Sequence, residues 1–200
     1  MELHGSDTEK QVFFYERDFY ILSNFSAFTL QWFGYRFDTS EAAYHWTKFN
    51  DPSMTEIRDA ILLAPSAHEA FKIAERFKDV RREDWDDVKV PYMKKILRAK
   101  ADQHEYVKRK LLATGDRELI ENSWRDNFWG WGPNKDGKNM LGKLWMEIRE
   151  EMRPKIMLCN EPKCLRECDH SKPHEETAIC RRGGCCRGPG KLAYCIEVSA

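Results

Sequence analysis

The sequence predicts an α+β domain that is mostly helical, with a small β-hairpin or sheet, followed by a cysteine-rich extension. Segments with strand character lie early in the chain and several amphipathic helical segments follow them, an order typical of α+β folds. All seven cysteines lie after residue 158. This change in composition predicts a flexible N-terminus over 1–11, one domain over 12–153 and an extension over 154–200.

Charge and hydropathy exclude several classes of protein. The 33 basic and 33 acidic side chains balance, so no global charge favours nucleic acid or a membrane surface. No apolar run approaches the length of a membrane-spanning helix, and the first ten residues lack the apolar core of a signal peptide. We therefore expect no membrane contact and a cytoplasmic or nuclear location.

Strand signals occur at three places. Val12–Tyr15 is a short β-prone run, and Phe28–Phe37 alternates aromatic and polar residues around Gly34, which predicts a hairpin. Leu119 and Ile120 fit either a short strand or a helix.

Helix signals divide most of the remaining domain. Thr39 or Ser40 is a good N-cap for a helix that should end near Asp51-Pro52, and Ser66 and Glu69 form a capping box. Asn139 is the expected cap of the last helix. The predicted helices are the one after Thr39, Thr55–Leu63, Ser66–Phe77, Glu83–Ala101 with a break or kink at Pro91, His104–Ala113 ending at Gly115, and Met140–Met152.

Two ionisable residues in the first helix, Glu41 and Lys48, are candidates for chemistry. They are seven positions apart, so in a helix their side chains would return to within roughly 20° of one face, about 10 Å apart along the axis. Tyr44 falls on the same stripe. This spacing is too long for an ordinary helical ion pair. It would leave room for a ribose, although a buried structural contact is the alternative.

Two further segments, and one tryptophan, are candidates for ligand binding. Asn24 is polar within an apolar stretch and would need hydrogen-bond partners if buried, although a turn is an equally good interpretation. The loop 126–139 is rich in glycine, with Trp129 and Gly130 at its centre, and it leads to a helix N-terminus that could bind phosphate. Trp85 would stack on a planar ring or, more commonly for tryptophan, anchor its helix in the core.

In their order and spacing these segments resemble the NADAR, or YbiA-like, domain family over about residues 12–153. The N-terminal half of the resemblance rests on Phe14-Tyr15, Leu22–Phe25, Ser40-Glu41, Tyr44, Lys48 and Phe49. The C-terminal half rests on Leu112–Asp116, Leu119–Glu121, Asp126, Trp129-Gly130, Gly132, Gly137, Asn139, Leu141–Met146 and Arg149.

The resemblance implies a mostly helical α+β domain that cleaves N-glycosidic bonds without a cofactor or metal. Family members are associated with ADP-ribosylated guanine, as free base, nucleoside or in DNA, and with ribosylamino intermediates of riboflavin synthesis. Glu41, Lys48 and Asp126 match polar active-site positions of the family, and Trp85 matches an aromatic that shapes its pocket. Ala42-Ala43 departs from the bulkier pair common in the family, which bears on pocket shape and hence on the substrate.

These residues suggest a mechanism in which Lys48 is the nucleophile and Glu41 the acid/base. An amine can attack a ring-opened ribosylamine and form a Schiff base, provided that a lowered pKa leaves it partly unprotonated. Asp126 would orient the substrate or share the acid/base work with Glu41. We expect the substrate to be held by Asn24, Tyr44, Trp85, Trp129, Gly130 and Asn139. The alternative from another class is an ADP-ribose or nucleotide reader without turnover.

The extension contains residues that zinc favours. Cysteine and histidine recur at Cys159, Cys164, Cys168, His170, His174, Cys180, Cys185 and Cys186. Their spacing matches no standard zinc finger, so a disordered extension without a metal is the favoured interpretation.

Overall fold

The structure is a computed structural model, and it describes residues 7–15, 19–153, 157–159 and 195–197. The chain divides into two compact units after Met152. In the second unit, β5 (Met157–Cys159) pairs antiparallel with β6 (Cys195–Glu197). The remainder of the cysteine-rich extension, with the predicted disorder and most of the candidate zinc ligands, lies outside the described residues.

The first sheet joins distant parts of the chain. Strand β1 (Gln11–Phe14) pairs in parallel with β4 (Glu118–Glu121), so that Phe14 lies opposite Glu121. The strand interpretation of Leu119-Ile120 is therefore confirmed. The predicted flexible N-terminus is described from residue 7 onward, where the Asp7 carboxylate accepts a hydrogen bond from the backbone N–H of Phe13 at 2.9 Å.

The second sheet is the predicted hairpin. Strand β2 (Leu30–Trp32) pairs antiparallel with β3 (Tyr35–Phe37). Phe33 and Gly34 form the two-residue turn, with φ of 48° and 81°. Positive φ at both central residues is the geometry of a type I′ turn, which fits the twist of a hairpin. Glycine adopts it without strain, whereas a bulky phenylalanine rarely does.

Six helices complete the first unit in the part of the chain that the structure describes. Thr39 and Ser66 cap α1 and α3, since their side-chain oxygens accept the backbone N–H of Ala42 and Glu69, both at 3.2 Å. The helices are α1 (Ser40–Trp46), α2 (Thr55–Leu62), α3 (Ala67–Arg76), α4 (Trp85–Gln103), α5 (Glu105–Leu112) and α6 (Met140–Met152).

One helix boundary is predicted wrongly, and one of two alternatives expected at a proline, a break, does not occur. Helix α1 ends at Trp46 rather than near Asp51, because Thr47 turns the chain: its hydroxyl donates to the carbonyl of Tyr44, and the N–H of Lys48 bonds to His45 three residues back. Lys48 thus lies in a tight turn just beyond the helix. Pro91 does not break α4, which buries apolar side chains on both sides of the proline and leaves the proline itself exposed.

The C-terminal helix α6 packs directly on β4. A Cβ on Gly142 would overlap the carbonyl oxygen of Leu119, so only glycine allows this approach. Trp145, fully buried, donates its indole N–H to the carbonyl of Leu22 at 2.9 Å. The segment before α1 is thereby held against the helix that ends the domain. None of the helices in the described residues is both long and apolar enough to cross a membrane.

Candidate active site

Helix α1 carries Glu41 in its first turn, beside the Asn24 segment. The backbone N–H of Glu41 donates to the carbonyl of Asn24 at 3.1 Å, which fixes the first turn of the helix against the Asn24 segment. The carboxylate Oε1 lies 2.8 Å from Nε2 of His45, one turn along the helix. His45 is buried, and its second ring nitrogen has no partner among the described residues. Sequence reasoning assigned no role to this histidine, which holds the Glu41 carboxylate in place.

Lys48 is buried against aromatic rings, with 7% of its surface exposed. Its Nζ lies 5.4 Å from the centre of the Tyr44 ring and 5.8 Å from that of Trp85. The nearest carboxylate oxygen, Oε1 of Glu75, is 3.9 Å away. Burial lowers the pKa of the Lys48 amine because it removes water from the charged form, and the carboxylates of Glu41 and Glu75 oppose that shift only in part.

Two basic neighbours lower the pKa of Lys48 further. They are Arg81 and Lys89, whose positive charges disfavour a third cation nearby. The amine therefore holds its proton less firmly than an exposed lysine does. A lowered pKa is the property that a lysine nucleophile requires.

Tyr44, Trp85 and Trp129 form an aromatic wall beside Lys48. The Tyr44 ring centre lies 5.0 Å from that of Trp85 and 5.6 Å from that of Trp129. Burial, together with the nearby Glu41 carboxylate, raises the pKa of the Tyr44 phenol, so its hydroxyl remains a neutral hydrogen-bond donor. Trp85 is almost fully buried at 2% exposure, so it packs in the core as well as bordering Lys48.

Asp126 organises the loop that carries Trp129. Its Oδ1 accepts the backbone N–H groups of Phe128 and Trp129, both at 2.7 Å. Among the described residues, its Oδ2 has no hydrogen-bond partner. One carboxylate oxygen thus shapes the loop while the other is left for a ligand.

The first N–H groups of α6 do not form the phosphate site that the glycine-rich loop suggested. The N–H of Met140 donates to the carbonyl of Phe128 and that of Leu141 to the carbonyl of Trp129, both at 3.0 Å. The loop folds back over the helix N-terminus and satisfies these donors itself. The expectation of a free helix N-terminus for phosphate is therefore wrong.

Gly130 and Asn139 tie this loop to β4. A Cβ on Gly130 would lie 2.8 Å from Cβ of Ser123 and 2.9 Å from the carbonyl oxygen of Glu121, closer than side chains pack. Asn139 caps α6 through its carbonyl, which accepts the N–H of Lys143. Its side chain instead bonds to β4: Oδ1 accepts the N–H of Glu121 at 3.0 Å and Nδ2 donates to Leu119 at 2.8 Å. Both side-chain groups are thus engaged within the protein, and substrate contact by Asn139 stays a prediction.

Glu121, the last residue of β4, is a second carboxyl that sequence reasoning did not assign to the site. Burial and the nearby negative charges of Asp126 and Glu41 together raise its pKa to about 8, and burial is the largest of these causes. Its Oε2 is inaccessible and has no partner among the described residues. A sequence signal was present, because a glutamate after two buried apolar residues of a short strand, Leu119 and Ile120, is unusual.

Asn24 is buried, at 6% exposure, and it also lies in a turn, so the two interpretations of this segment both hold. Its Nδ2 lies 3.3 Å from the sulfur of Met93, a weak acceptor, and its Oδ1 has no partner among the described residues. An unpartnered buried carbonyl costs stability unless a ligand or water supplies a donor. Asn24 therefore keeps an acceptor available beside the N-terminus of α1.

The fold brings most of the predicted residues close enough to interact, through their charges or through ring contacts. The charges of Glu41 and Asp126 both act on Tyr44 and Glu121, and Glu41 also acts on Lys48. Lys48 contacts Tyr44 and Trp85, and Tyr44 contacts Trp129. Together these residues provide an amine of lowered pKa, two carboxylates, a carboxyl that holds its proton near neutral pH, and aromatic surfaces. This set can perform acid/base and amine-nucleophile chemistry on a planar substrate.

Comparison with known proteins was made by sequence and by structure. N-glycosidase YbiA of Escherichia coli (strain K12) is 36% identical over 135 residues, which are 68% of this chain and 82% of YbiA. N-glycosidase Npun_R5314 of Nostoc punctiforme is 35% identical over 149 residues, 74% of this chain and 96% of that protein. Riboflavin biosynthesis protein VVA0006 of Vibrio vulnificus is 36% identical over 154 residues, and this chain spans only 41% of its length.

The structural comparison agrees with these relatives. The NMR structure of E. coli YbiA superimposes with a TM-score of 0.65 at 34% sequence identity, covering 73% of this chain and 86% of YbiA. The family model for the NADAR domain matches residues 13–153, most of the chain. This protein therefore belongs to the NADAR domain family.

Proposed function

We propose that this protein is an N-glycosidase that removes ADP-ribose from ADP-ribosylated guanine, with Lys48 as the nucleophile. The observation that carries the chemistry is the burial of Lys48 between Tyr44 and Trp85, where its pKa is lowered. Relatives named as N-glycosidases support cleavage of an N-glycosidic bond. The choice of guanine as the base and of ADP-ribose as the group removed from it rests on the family resemblance.

The reaction begins when the ribose ring opens at C1, leaving an imine between C1 and the base nitrogen. The neutral Lys48 amine attacks C1 and forms a C–N bond, while the former imine nitrogen takes up a proton. As Glu41 delivers a second proton to the same nitrogen, the bond from C1 to the base breaks, the base leaves as a neutral amine, and a protonated Schiff base joins C1 to Lys48. Water adds to C1, restores the free amine and releases the aldehyde, which closes to ribose.

The carboxyl groups divide the proton transfers. Glu41, held by His45, is the acid/base that protonates the departing base and then activates water. Glu121 carries its proton near neutral pH and donates a hydrogen bond to the base or sugar. Asp126 orients the ribose through its Oδ2. These roles are consistent with the Coulombic influence of Glu41 and Asp126 on Glu121.

The remaining predicted residues would hold the planar base. Tyr44 and Trp129 offer aromatic surfaces for stacking, and Trp85 backs the Tyr44 ring. Asn24 supplies an acceptor for an N–H of the base through its unpartnered Oδ1. Gly130 and Asn139 fix the position of the loop against β4 and so act through Trp129.

A ribosylamino intermediate of riboflavin synthesis is the second candidate substrate. The similarity to proteins named for riboflavin biosynthesis, in Vibrio vulnificus and Zea mays, favours it. Such a compound also presents a ribosylated planar heterocycle, so the same residues would serve. A reader that binds ADP-ribose without turnover is less consistent with an amine of lowered pKa next to a carboxylate, since binding alone requires neither.

One experiment tests both the substrate and the mechanism. The protein is incubated with ADP-ribosylated guanosine, ADP-ribosylated guanine in DNA, or the riboflavin intermediate, each with and without borohydride, and released base and intact protein mass are measured. We expect guanine release and, with borohydride, a mass adduct on the Lys48 peptide. Lys72→Ala, which removes an exposed lysine, is the matched control for Lys48→Ala.

Each outcome has a distinct meaning. Loss of the adduct and of base release in Lys48→Ala, with both kept in Lys72→Ala, would support the covalent route. Full activity of Lys48→Ala would rule it out. Release only from the riboflavin intermediate would reassign the substrate, and binding without release from any compound would identify a reader.

A further inference from the structure

A cavity is bordered by the β2–β3 hairpin and by residues of α1, α2 and α4. It has a volume of about 310 Å³, within the range of small-molecule sites. Its wall includes five aromatic side chains and two arginines from the β2–β3 hairpin and the segments around it: Phe33, Tyr35, Trp46, Phe49, Tyr92, Arg58 and Arg82. We call this cavity the hairpin groove. None of the described residues that line it is acidic.

The aromatic side chains of the groove form a continuous surface that remains open to solvent at the hairpin. The ring centre of Trp46 lies 5.3 Å from that of Tyr35 and 6.1 Å from that of Phe33, and Phe33 lies 6.5 Å from Tyr92. Phe33 is 61% exposed and Tyr35 44%. The rings pack too closely to admit a base between them, so a planar ligand would stack on the open faces of Phe33 and Tyr35.

Arg58 stacks on Trp46 but has no acidic partner among the described residues. Its guanidinium carbon lies 3.7 Å from the centre of the Trp46 ring, close enough to stack. Its Nε is inaccessible and unbonded, and among the described residues the guanidinium makes no hydrogen bond or ion pair. An arginine is always charged, and its planar fork of donors fits phosphate or carboxylate. A buried donor without a partner costs stability unless a ligand satisfies it.

Arg82 on the neighbouring wall is held rigidly. It donates two hydrogen bonds to Asp84, at 2.5 and 2.8 Å, and one to the hydroxyl of Tyr92 at 3.2 Å. Asp84 therefore neutralises much of the Arg82 charge. This leaves Arg58 as the cation of the groove that is available to an anion.

The hairpin turn places Phe33 in this surface at a conformational cost. Its φ of 48° lies in the left-handed region, which is strained for a bulky residue. Asparagine or glycine would occupy the same turn position without that cost. Strain at an exposed ring on the edge of a cavity is consistent with a use for the ring in binding.

We propose that the hairpin groove binds a nucleoside phosphate. Its base stacks on Phe33 and Tyr35, and its phosphate accepts a pair of hydrogen bonds from Arg58. Stacking of bases on aromatic side chains combined with a nearby cation is the general mode by which proteins hold single-stranded nucleic acid and nucleotides. The two sources of this ligand are a free nucleotide and a nucleotide within a single strand.

The groove adjoins the Lys48 site. Tyr92 on its wall stacks on Trp85, with ring centres 6.5 Å apart at 19°, and the backbone N–H of Arg82 donates to the carbonyl of Lys48 at 2.8 Å. The rings of Tyr92 and Trp85 would therefore separate a nucleotide in the groove from the amine. Binding there does not depend on any reaction at Lys48.

Direct binding measurements test the groove. Adenosine 5′-monophosphate, adenosine and a four-nucleotide single-stranded DNA are titrated by calorimetry into the full chain and into Phe33→Asn and Arg58→Gln. Phe33→Asn removes the ring and suits the turn, so it should not lower the thermal stability. Tyr106→Asn and Arg109→Gln remove a comparable exposed aromatic–arginine pair on α5 and serve as matched controls.

We expect both groove variants to weaken binding of the monophosphate at least tenfold and both controls to change it less than twofold. Adenosine should bind at least tenfold more weakly than the monophosphate, and Arg58→Gln should remove that difference. Tighter, salt-sensitive binding of the four-nucleotide strand would identify a single strand as the source, and equal binding a free nucleotide. Unchanged binding in Phe33→Asn and Arg58→Gln, or loss of binding only in Glu41→Ala, would overturn the proposal, as would no binding of either phosphate ligand.

Discussion

Glu41 and Lys48 border the same site but are not paired with each other. The Glu41 carboxylate bonds to His45 at 2.8 Å, whereas the carboxylate nearest to the Lys48 amine is that of Glu75, at 3.9 Å. The turn at Thr47 carries Lys48 off the end of α1, so the two side chains are positioned by different neighbours. A carboxylate and a buried amine that do not neutralise each other remain free to act on a substrate at different moments.

Replacement of Glu41 by glutamine should abolish turnover while the fold is kept. The amide preserves the size of the side chain but cannot transfer a proton, so we expect kcat to fall about 10²–10⁴-fold. Release of base measured at saturating substrate, with circular dichroism to confirm folding, checks this. Glu56→Gln, which changes an exposed glutamate of α2, is the control and should retain activity. A Glu41→Gln protein within threefold of the parent would remove Glu41 from the mechanism.

The pH dependence of kcat/KM should report Glu121. Its pKa of about 8 means that the proton it donates is lost as the pH rises through 8, so activity should decline there if that proton is used. The Lys48 amine must instead lose its proton, which predicts a rising limb at its lowered pKa. The two limbs should form a bell-shaped profile. Glu121→Gln, which keeps a donor but does not titrate, should lose the alkaline decline; an unchanged decline would exclude Glu121 as its source.

The buried amine of Lys100 should make the stability of the folded protein depend on pH. It is fully buried, donating to the carbonyl of Ser23 at 2.9 Å and to the hydroxyl of Ser26 at 2.6 Å, and burial lowers its pKa to about 7. Between that pKa and the ordinary value of 10.5, the unfolded chain binds more protons than the folded one. This group therefore makes the folded state more stable as the pH rises, by up to about 1.4 kcal/mol per unit.

Urea denaturation from pH 7.5 to 9.5, compared with Lys100→Met, isolates this contribution. The free energy of unfolding of the parent should rise across the window relative to that of the variant. Below pH 7 the difference between the two proteins should become independent of pH. Parallel curves over the whole range would show that Lys100 does not titrate in this window. Lys72→Met, at an exposed site, should match the parent.

Gly142→Ala should destabilise the domain. The added methyl group would overlap the carbonyl of Leu119, so α6 would have to move away from β4, and we expect a loss of about 1–3 kcal/mol. Lys143→Ala, at the exposed neighbouring position, should change stability by no more than about 0.5 kcal/mol. Equal unfolding free energies for the two variants would show that the helix and strand can separate without cost.

The elements that the sequence predicts well are those determined by local chemistry. Ser66 and Thr39 cap their helices because their hydroxyls reach backbone N–H groups three residues away, and Phe33-Gly34 turns the hairpin. Interactions between residues that are far apart in the sequence were not predictable in this way. The bonds from Asn139 to β4 span 18 and 20 residues, so no local pattern distinguishes them from a helix cap.

Part of the candidate site was predictable because its residues lie close together in the sequence. Glu41 and Tyr44 lie on one helix, where spacing alone relates them, and family resemblance joined Asp126 to them. Glu121 and His45 were missed because their significance depends on burial and on neighbours from other elements. Helix α4 continues through Pro91 because its packing on both sides of the proline outweighs the lost backbone hydrogen bond.

The parallel pairing of β1 with β4 has a consequence for assembly of the protein. Gln11 and Glu118 are 107 residues apart, and their side chains bond at 2.8 Å across the two strands. During synthesis, β1 emerges long before its partner strand exists. Glu121 emerges with that strand and the loop of Asp126 follows it, so the pocket around Lys48 cannot close until most of the domain has left the ribosome. A chain that ends before β4 should therefore leave β1 as an unpaired edge, a known route to aggregation, and contain the amine without the carboxyls that surround it.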